Sequence, residues 1–482
     1  MFDVLNDFIW SKLLIVFLIG IGLAFTIRSR FVQFRYFGQI LSNFKEGFSH
    51  EEGHLSSFQA LALSVAGRVG AGNIAGVAVA ITLGGPGAIF WMWLIGLIGM
   101  ATSFFECTLS QVFKRAEPDG TYRGGPAYYI EQGLNQRWLA AVFSVLLLVT
   151  FGLGFNALQS YTVAASVEDT FGLSRDMTAF IMMGMLGAII FGGVKRIAHV
   201  AEYIVPIMAI GYFLMSVAVI VTNLEGIPSV FASIVRGAFG FDSAITGGIG
   251  AAIVFGVKRG LFSNEAGLGS APNVAAVAYV KHPVNQGILQ SLSVFIDTMI
   301  LCTCTAAVIL LSGVYEPGAE VNGVTLTQNA MSEQFGFWGQ AFVTIGLALF
   351  AFTSMLYNYY LGENSLNFFS EENRPLFNGF RVLTLVLIIW GATQDLSTVF
   401  GFADLTMGLL ALVNLASLVM LFGIGLKVLQ NFETQIRSGE KQPLFTAASL
   451  PEVEIDAKAW PDNASEPEPE PTVERFAVGI LH

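Results

Sequence analysis

Charge is what this chain has least of. Only 12% of its 482 residues are Asp, Glu, Lys or Arg, 54% are hydrophobic, and the mean hydropathy is +0.65. Soluble domains carry about twice that charge, so the composition excludes an ordinary water-soluble globule. Cysteine is rarer still. Cys107, Cys302 and Cys304 all lie in apolar runs, which excludes a disulfide framework and a zinc site; Cys302-Thr-Cys304 has the wrong spacing for a metal pair. The five histidines (His50, His54, His199, His282 and His482) fall in loops, at the ends of apolar runs or in the C-terminal tail. A redox or metal-dependent membrane enzyme needs paired histidines at depth, so neither an enzyme nor a cofactor is expected. The start, MFDVLNDFIW, is acidic rather than basic, which argues against a cleaved signal peptide. Much of the net charge of −11 sits in one tail and implies no nucleic-acid partner.

What the chain has instead is long apolar runs, whose natural partner is a lipid bilayer. At about 20 residues per crossing, eleven spans are expected, over 10–28, 58–83, 87–113, 138–166, 174–194, 198–222, 244–280, 287–313, 338–362, 376–394 and 405–429. The seventh is too long for one straight crossing and is interrupted by VKRGLFSNEAG, so it reads as a broken helix. The second is irregular too, and the two are five apart. Setting aside the first span leaves two sets of five, each opening on a broken helix. An odd-numbered set inverts its partner's membrane orientation. The expected fold class is therefore an all-α polytopic membrane protein, one N-terminal helix plus a 5+5 inverted-repeat core. No residue-level repeat joins the halves, so this symmetry rests on hydropathy and interruption alone.

Lysine and arginine alternate from side to side. Arg28, Arg30, Arg35 and Lys45 follow span one, and Lys114, Arg115, Arg123 and Arg137 follow span three. Lys195 and Arg196 follow span five, Lys281 follows span seven, and Arg374 and Arg381 lie between spans nine and ten. The opposite side has little beyond Lys12, Arg175 and Arg236, and its longest loop, 314–337, has no Lys or Arg. The positive-inside bias then places the N-terminus outside and the C-terminus in the cytoplasm of a bacterial inner membrane. Three regions follow: 1–57, an N-terminal helix and a cytoplasmic amphipathic loop; 58–430, the core; and 431–482, an acidic tail. Residues 31–57 suit a helix lying on the inner surface. Beyond about Gln442, PEVEIDAKAWPDNASEPEPEPTVERF is acidic, proline-rich and poor in apolar clusters, the composition of a disordered segment.

Inside the second span, Ser64–Ala80 reads SVAGRVGAGNIAGVAVA, with four glycines, an arginine and an asparagine. A plain spanning helix satisfies its own backbone and has no need of such a run. Closely placed glycines let it open near mid-membrane, freeing amides and carbonyls that hold a small zwitterion or a desolvated cation. Close helix packing is the alternative for Gly72 and Gly76, four apart, but it leaves Asn73 and Arg68 unexplained. Arg68, Glu106 and Asp297 are ionisable residues within spans, where unpaired charge is costly. Arg68 is expected to pair with an acid, Glu106 being the candidate, as part of a gate. Glu106 suits a structural ion pair or gate contact as well as coupling. Asp297 suits either proton binding or fixing a helix through backbone hydrogen bonds.

The run GNIAGVA, then GGPGAIFWMW (Gly84–Trp93), GGPAYYIEQGL (Gly124–Leu134), RGLFSNEAGLGSAP (Arg259–Pro272) and VFIDTMILCTCTA (Val294–Ala306) resemble the alanine or glycine:cation symporter family. The resemblance implies the leucine-transporter fold and import of a small neutral amino acid such as alanine or glycine, driven by sodium or alternatively by protons. An ion channel is the remaining alternative, but it would need a continuous polar path and usually symmetric subunits. Amides over Gly70, Ala71 and Gly72 suit the substrate carboxylate, helped by the positive end of the half-helix that begins there, and Asn73 both donates and accepts. By resemblance the substrate site also takes Gln159, with Phe255 and Gly256 from the second broken helix; a buried Gln159 facing a neighbouring helix, or Phe255 in plain packing, would look the same in sequence. At Asn358 some members carry a pocket-narrowing tryptophan, so asparagine there points to a larger or more polar substrate such as glutamine or serine. The resemblance places sodium among the carbonyls of Ala66, Val69 and Phe350 and the hydroxyls of Thr353 and Ser354. The alternative for those hydroxyls is a bond back to their own helix.

Overall fold

The computed structural model describes residues 2–36, 38, 55–118, 120–240, 248–318, 323–371 and 373–461. Almost all of this is helix, the form in which an apolar segment satisfies its backbone without water. Helix α1 (Leu5–Arg28) is followed by α2 (Ser57–Arg68) and α3 (Gly72–Gly84), which meet at a bend of 47°. Next come α4 (Ala88–Val112), α5 (Pro126–Leu134), α6 (Arg137–Phe171), α7 (Arg175–Ile190), α8 (Gly193–Thr222), α9 (Ile227–Ala238) and α10 (Gly248–Asn264). Then α11 (Pro283–Ser312), α12 (Gly323–Phe335), α13 (Phe337–Phe369), α14 (Arg374–Ala392) and α15 (Leu396–Arg437) complete the bundle. A small antiparallel hairpin, β1 (Arg115–Ala116) and β2 (Tyr122–Arg123), follows α4.

Among the described residues, 8 helices are long and apolar enough to cross a bilayer, or 9 with the bent α2–α3 pair. Helices α7 and α10 lie where two further spans are expected but have only 16 and 17 residues. Burial separates core from periphery. The most apolar windows of α4 and α13 are 72% and 67% buried, whereas those of α8 and α14 are 28% buried and turn apolar faces outward. Trp138 at the start of α6 and Trp338 at the start of α13 are 66% and 78% exposed, as amphipathic rings are at headgroup depth.

Two features differ from the sequence expectation. The first is the extent of the second break, which takes only the far end of the expected interruption VKRGLFSNEAG. Helix α10 runs unbroken through Lys258, Arg259 and Gly260, and the chain leaves it only at 265–270, where Glu265, Gly267 and Gly269 have φ of 56°, 94° and 78°. Charge does not open the helix because it is met inside the bundle: Lys258 and Arg259 reach Asp404 of α15 at 2.7 and 2.6 Å.

The second is the tail. Residues 431–437 are still helix α15, and 438–461, expected to be disordered, fold back as a strap over the end of the bundle that carries the cationic loops. Phe445, Leu450 and Trp460 are buried along it, so a composition that reads as solvated hides three apolar anchors. Residues 462–482, and 37 and 39–54 of the expected surface helix, lie outside the described residues.

Phe445 and Phe432 enclose the His282 ring, at 5.4 and 5.0 Å between centroids. Burial pushes His282 down to about 4. It is uncharged at neutral pH, and its Nδ1 accepts the Val284 N–H at 3.2 Å, capping α11. A base held below its usual value of about 6.5 stabilises the packed form above that pH and loses this contribution as pH falls through the window below it. Hydrogen-exchange protection of residues 442–447 is therefore expected to fall as pH drops from about 6.5 to about 4; unchanged protection would contradict this.

Candidate functional site

The site follows from the way α2 ends. Had the helix continued, the carbonyls of Ala66 and Gly67 would accept from the N–H groups of Gly70 and Ala71. Val69 turns to an extended conformation, φ −80° and ψ 93°, and both amides find side chains instead. Gly70 N–H donates to Asn73 Oδ1 at 3.0 Å, and Ala71 N–H donates to Gln159 Oε1 of α6 at 3.1 Å. The two carbonyls are thereby released. A Cβ on Gly70 would stand 2.5 Å from Ser354 Oγ and 2.8 Å from Gln159 Nε2, so only glycine lets this turn meet α13 and α6.

The released oxygens converge on Ser354 of α13. Its hydroxyl lies 2.9 Å from Ala66 O, 3.4 Å from Gly67 O, 3.4 Å from Val69 O and 3.0 Å from Phe350 O. One hydroxyl hydrogen cannot serve four acceptors. Thr353 Oγ1 also donates to Phe350 O, at 3.0 Å. The result is a buried knot of oxygens with too few hydrogens, the donor set that suits a hard cation. Among the described residues no cluster of three or more His, Cys, Asp or Glu side chains offers a metal site of the other kind.

On its other side Asn73 donates to Asp297 Oδ1 of α11 at 2.7 Å. Asp297 Oδ2 accepts from Ser263 of α10 at 2.8 Å and from Thr298 at 2.9 Å. Asp297 thus ties both broken helices to α11 through side chains. Gly72 packs against this seam, where an added Cβ would come within 3.1 Å of Ser263 Cα and 3.3 Å of the Phe262 ring.

Phe255 and Gly256 are not brought to this cluster. They face Gly84 and α4: a Cβ on Gly84 would stand 3.1 Å from Phe255 Cβ, and one on Gly256 would fall 2.4 Å from Ala88 O. The aromatic ring beside the first break is Phe262, two turns further along α10. It meets Phe155 at 5.2 Å and Phe400 at 5.9 Å, and Arg259 lies over the Phe400 ring at 4.9 Å. Asn358 is 1% exposed, one turn along α13 from Ser354, and its Nδ2 has no hydrogen-bond partner.

The expected Arg68–Glu106 pair is absent. Arg68 donates to Gln290 O at 3.0 Å, Ser293 Oγ at 2.5 Å and Ser103 Oγ at 2.8 Å, so hydroxyls and a carbonyl solvate it. Glu106 instead supports the second break, accepting from Gly267 N–H at 3.3 Å and from Asn414 Nδ2 at 3.1 Å. Glu265, at the break itself, accepts from Ser270 at 2.6 Å and Tyr357 at 3.3 Å. Neither Glu265 nor Ser263 was singled out from the sequence, although both stand in the polar run SNEAGLGS that interrupts an otherwise apolar span.

Residues 1–447 match the Sodium:alanine symporter family. The chain is 46% identical to the "Probable sodium/glutamine symporter GlnT" of Bacillus subtilis, over 91% of each chain. It is 44% identical to the "Amino-acid carrier protein AlsT" of the same organism, over 96% of this chain and 97% of that one. The "Sodium/alanine symporter AgcS" of Methanococcus maripaludis is 36% identical, over 91% and 98%. Among solved structures, a manganese transporter of Eremococcus coleocola superposes with a TM-score of 0.56 at 14% identity, over 76% of this chain and 78% of that one, a likeness of fold alone. An oxygen knot where the opened end of α2 meets α13, and this match over nearly the whole chain, lead to one conclusion: the chain belongs to the sodium:alanine symporter family and is a membrane amino-acid:cation symporter rather than an enzyme.

Proposed function

We propose that the protein imports a small neutral amino acid together with sodium across the bacterial inner membrane. Eleven spans, arranged as one helix plus a 5+5 inverted repeat, carry the cationic end to the cytoplasm. The observation that carries the reading is the oxygen knot at Ser354, where Ala66, Val69 and Phe350 contribute carbonyls and Thr353 lies alongside. Sodium takes oxygen ligands from unwound backbone and hydroxyls, and leaves readily when no carboxylate binds it. The amino acid binds at the adjoining turn over Gly70, Ala71 and Gly72, exchanging its carboxylate for the side-chain acceptors that Asn73 and Gln159 now offer the amides.

Asn358 extends the reading to substrate choice. Its unpartnered amide, one turn from Ser354, suits a polar side chain, and a relative named for glutamine supports alanine, serine and glutamine as the panel to test. Uptake by purified protein in liposomes, with sodium, lithium and pH gradients imposed separately, decides between the couplings. Saturable uptake that follows the sodium gradient supports the proposal. Uptake driven by protons alone, or ion current without amino acid, refutes it. In the same assay Asn358→Trp is expected to lower glutamine affinity about ten-fold or more relative to glycine, as filled pockets do. An unchanged ranking of glycine, alanine, serine and glutamine would remove Asn358 from the pocket.

A further inference from the structure

The strap at 438–461 is fastened to the parts of the bundle that must separate if the site is to open at its cationic end. The entry to α2 is tied to the segment beyond the second break: Leu55 and Ala278 form a parallel bridge, and Tyr279 N–H donates to Leu55 O at 3.2 Å. Ala278 O in turn accepts from Gln111 Nε2 at 3.0 Å and from Lys114 Nζ at 3.2 Å, both at the end of α4. One carbonyl therefore joins α4 to the stretch that links the two broken helices.

The strap clamps both donors. Trp460 Nε1 donates to the backbone carbonyl of Gln111 at 3.0 Å. The Lys114 ammonium lies between two rings, 3.9 Å from that of Tyr122 and 4.4 Å from that of Trp460. Asp456 Oδ2 accepts from Ala116 N–H at 3.0 Å, holding β1, and Phe445 N–H donates to Lys281 O at 2.9 Å, holding the far side of the same segment. Ala447 N–H donates to Trp460 O at 3.1 Å and closes the strap on itself. The family match ends at residue 447, so Leu450, Asp456 and Trp460 lie beyond it.

We infer that residues 438–461 are a built-in latch on the cytoplasmic gate, holding α2 against the segment after the second break until the strap lifts. The inference rests on the reading that this end faces the cytoplasm and releases the amino acid there. A strap that covers without coupling would need no contact with Gln111 and Lys114, the two side chains that grip Ala278. Lifting it removes three hydrogen bonds, at Gln111, Ala116 and Lys281, and one cation–aromatic contact, at Lys114.

Hydrogen exchange read by mass spectrometry on the full-length protein tests this, comparing the parent with Trp460→Ala and with Asp456→Ala. The second variant changes only a half-exposed edge and decides the matter if loss of the buried ring prevents folding. Amides at 55–58 and 276–282 are expected to exchange about five- to ten-fold faster in the variants, the worth of one such hydrogen bond, with the middle of α6 and α13 unchanged. Loosening of 438–461 alone, with both gate segments at the parent rate, overturns the latch, as does no change anywhere. Exchange requires no substrate. Failure of sodium-driven uptake in liposomes would therefore refute the transport reading while leaving this result intact, and a latch that fails here leaves uptake untouched.

Discussion

Ser354→Ala is expected to raise the sodium concentration for half-maximal uptake about ten- to a hundred-fold, the range for a buried hydrogen-bonding group facing a charge. Among the described residues the hydroxyl is the only side-chain oxygen at the centre of the knot, within 3.4 Å of four carbonyls from two helices. Removing it leaves the carbonyls of Ala66, Gly67 and Val69 facing Phe350 across a gap. Thr353→Ala should do less, because that hydroxyl is bonded back to Phe350 O at 3.0 Å within its own helix. The order of the two effects is thus part of the prediction. Uptake measured against sodium concentration, with amino acid saturating, checks it. If both variants transport normally with the parent's sodium dependence, the knot is not the coupling site, and proton coupling through Asp297 becomes the reading to pursue.

The sequence announced this part of the site through its glycines, and the reason is physical. Glycine clusters in an apolar run make sense only where backbone leaves the helix or another chain comes close, and Gly70 does both. Hydropathy marked an interruption over VKRGLFSNEAG but not which part of it opens, because Lys258 and Arg259 read as the break until Asp404, far along the chain, is seen to meet them. The same blindness to long-range partners explains Arg68. An arginine in a span invites a carboxylate, yet two serines and a carbonyl solvate it without ion-pair strain. Phe262 was missed in favour of Phe255 because among 42 phenylalanines only the rotation of α10 tells which ring faces the break. The strap escaped for a different reason. Its anchors, Phe445, Leu450 and Trp460, have no helical or strand period, and acidic residues around them dominate the composition.

Asn73→Ala is the change with the widest expected consequences, because this one side chain holds three things at once. Its Oδ1 takes the Gly70 N–H, its Nδ2 supplies a donor to Asp297, and through Gly70 it keeps the Ala66 carbonyl free to face Ser354. With alanine, the Gly70 amide has only the Ala66 carbonyl within the ordinary helical pattern, so the break tends to close and one oxygen leaves the knot. Asp297 keeps Ser263 and Thr298 but loses its closest donor. An unsatisfied buried polar group costs about 1–3 kcal/mol, so affinity should drop about a hundred-fold at the upper end. Sodium and amino-acid affinities are expected to fall together. A residue that merely touched the substrate would move the second alone. Gln159→Leu repeats the logic at the neighbouring amide: Ala71 N–H loses its acceptor, Gly67 O is recaptured by the helix, and both affinities fall by a smaller factor. Equilibrium binding of labelled amino acid at several sodium concentrations, on protein that elutes as the parent does, separates these outcomes. If Asn73→Ala lowers amino-acid affinity with sodium dependence intact, Asn73 is a substrate contact and not the support of the break.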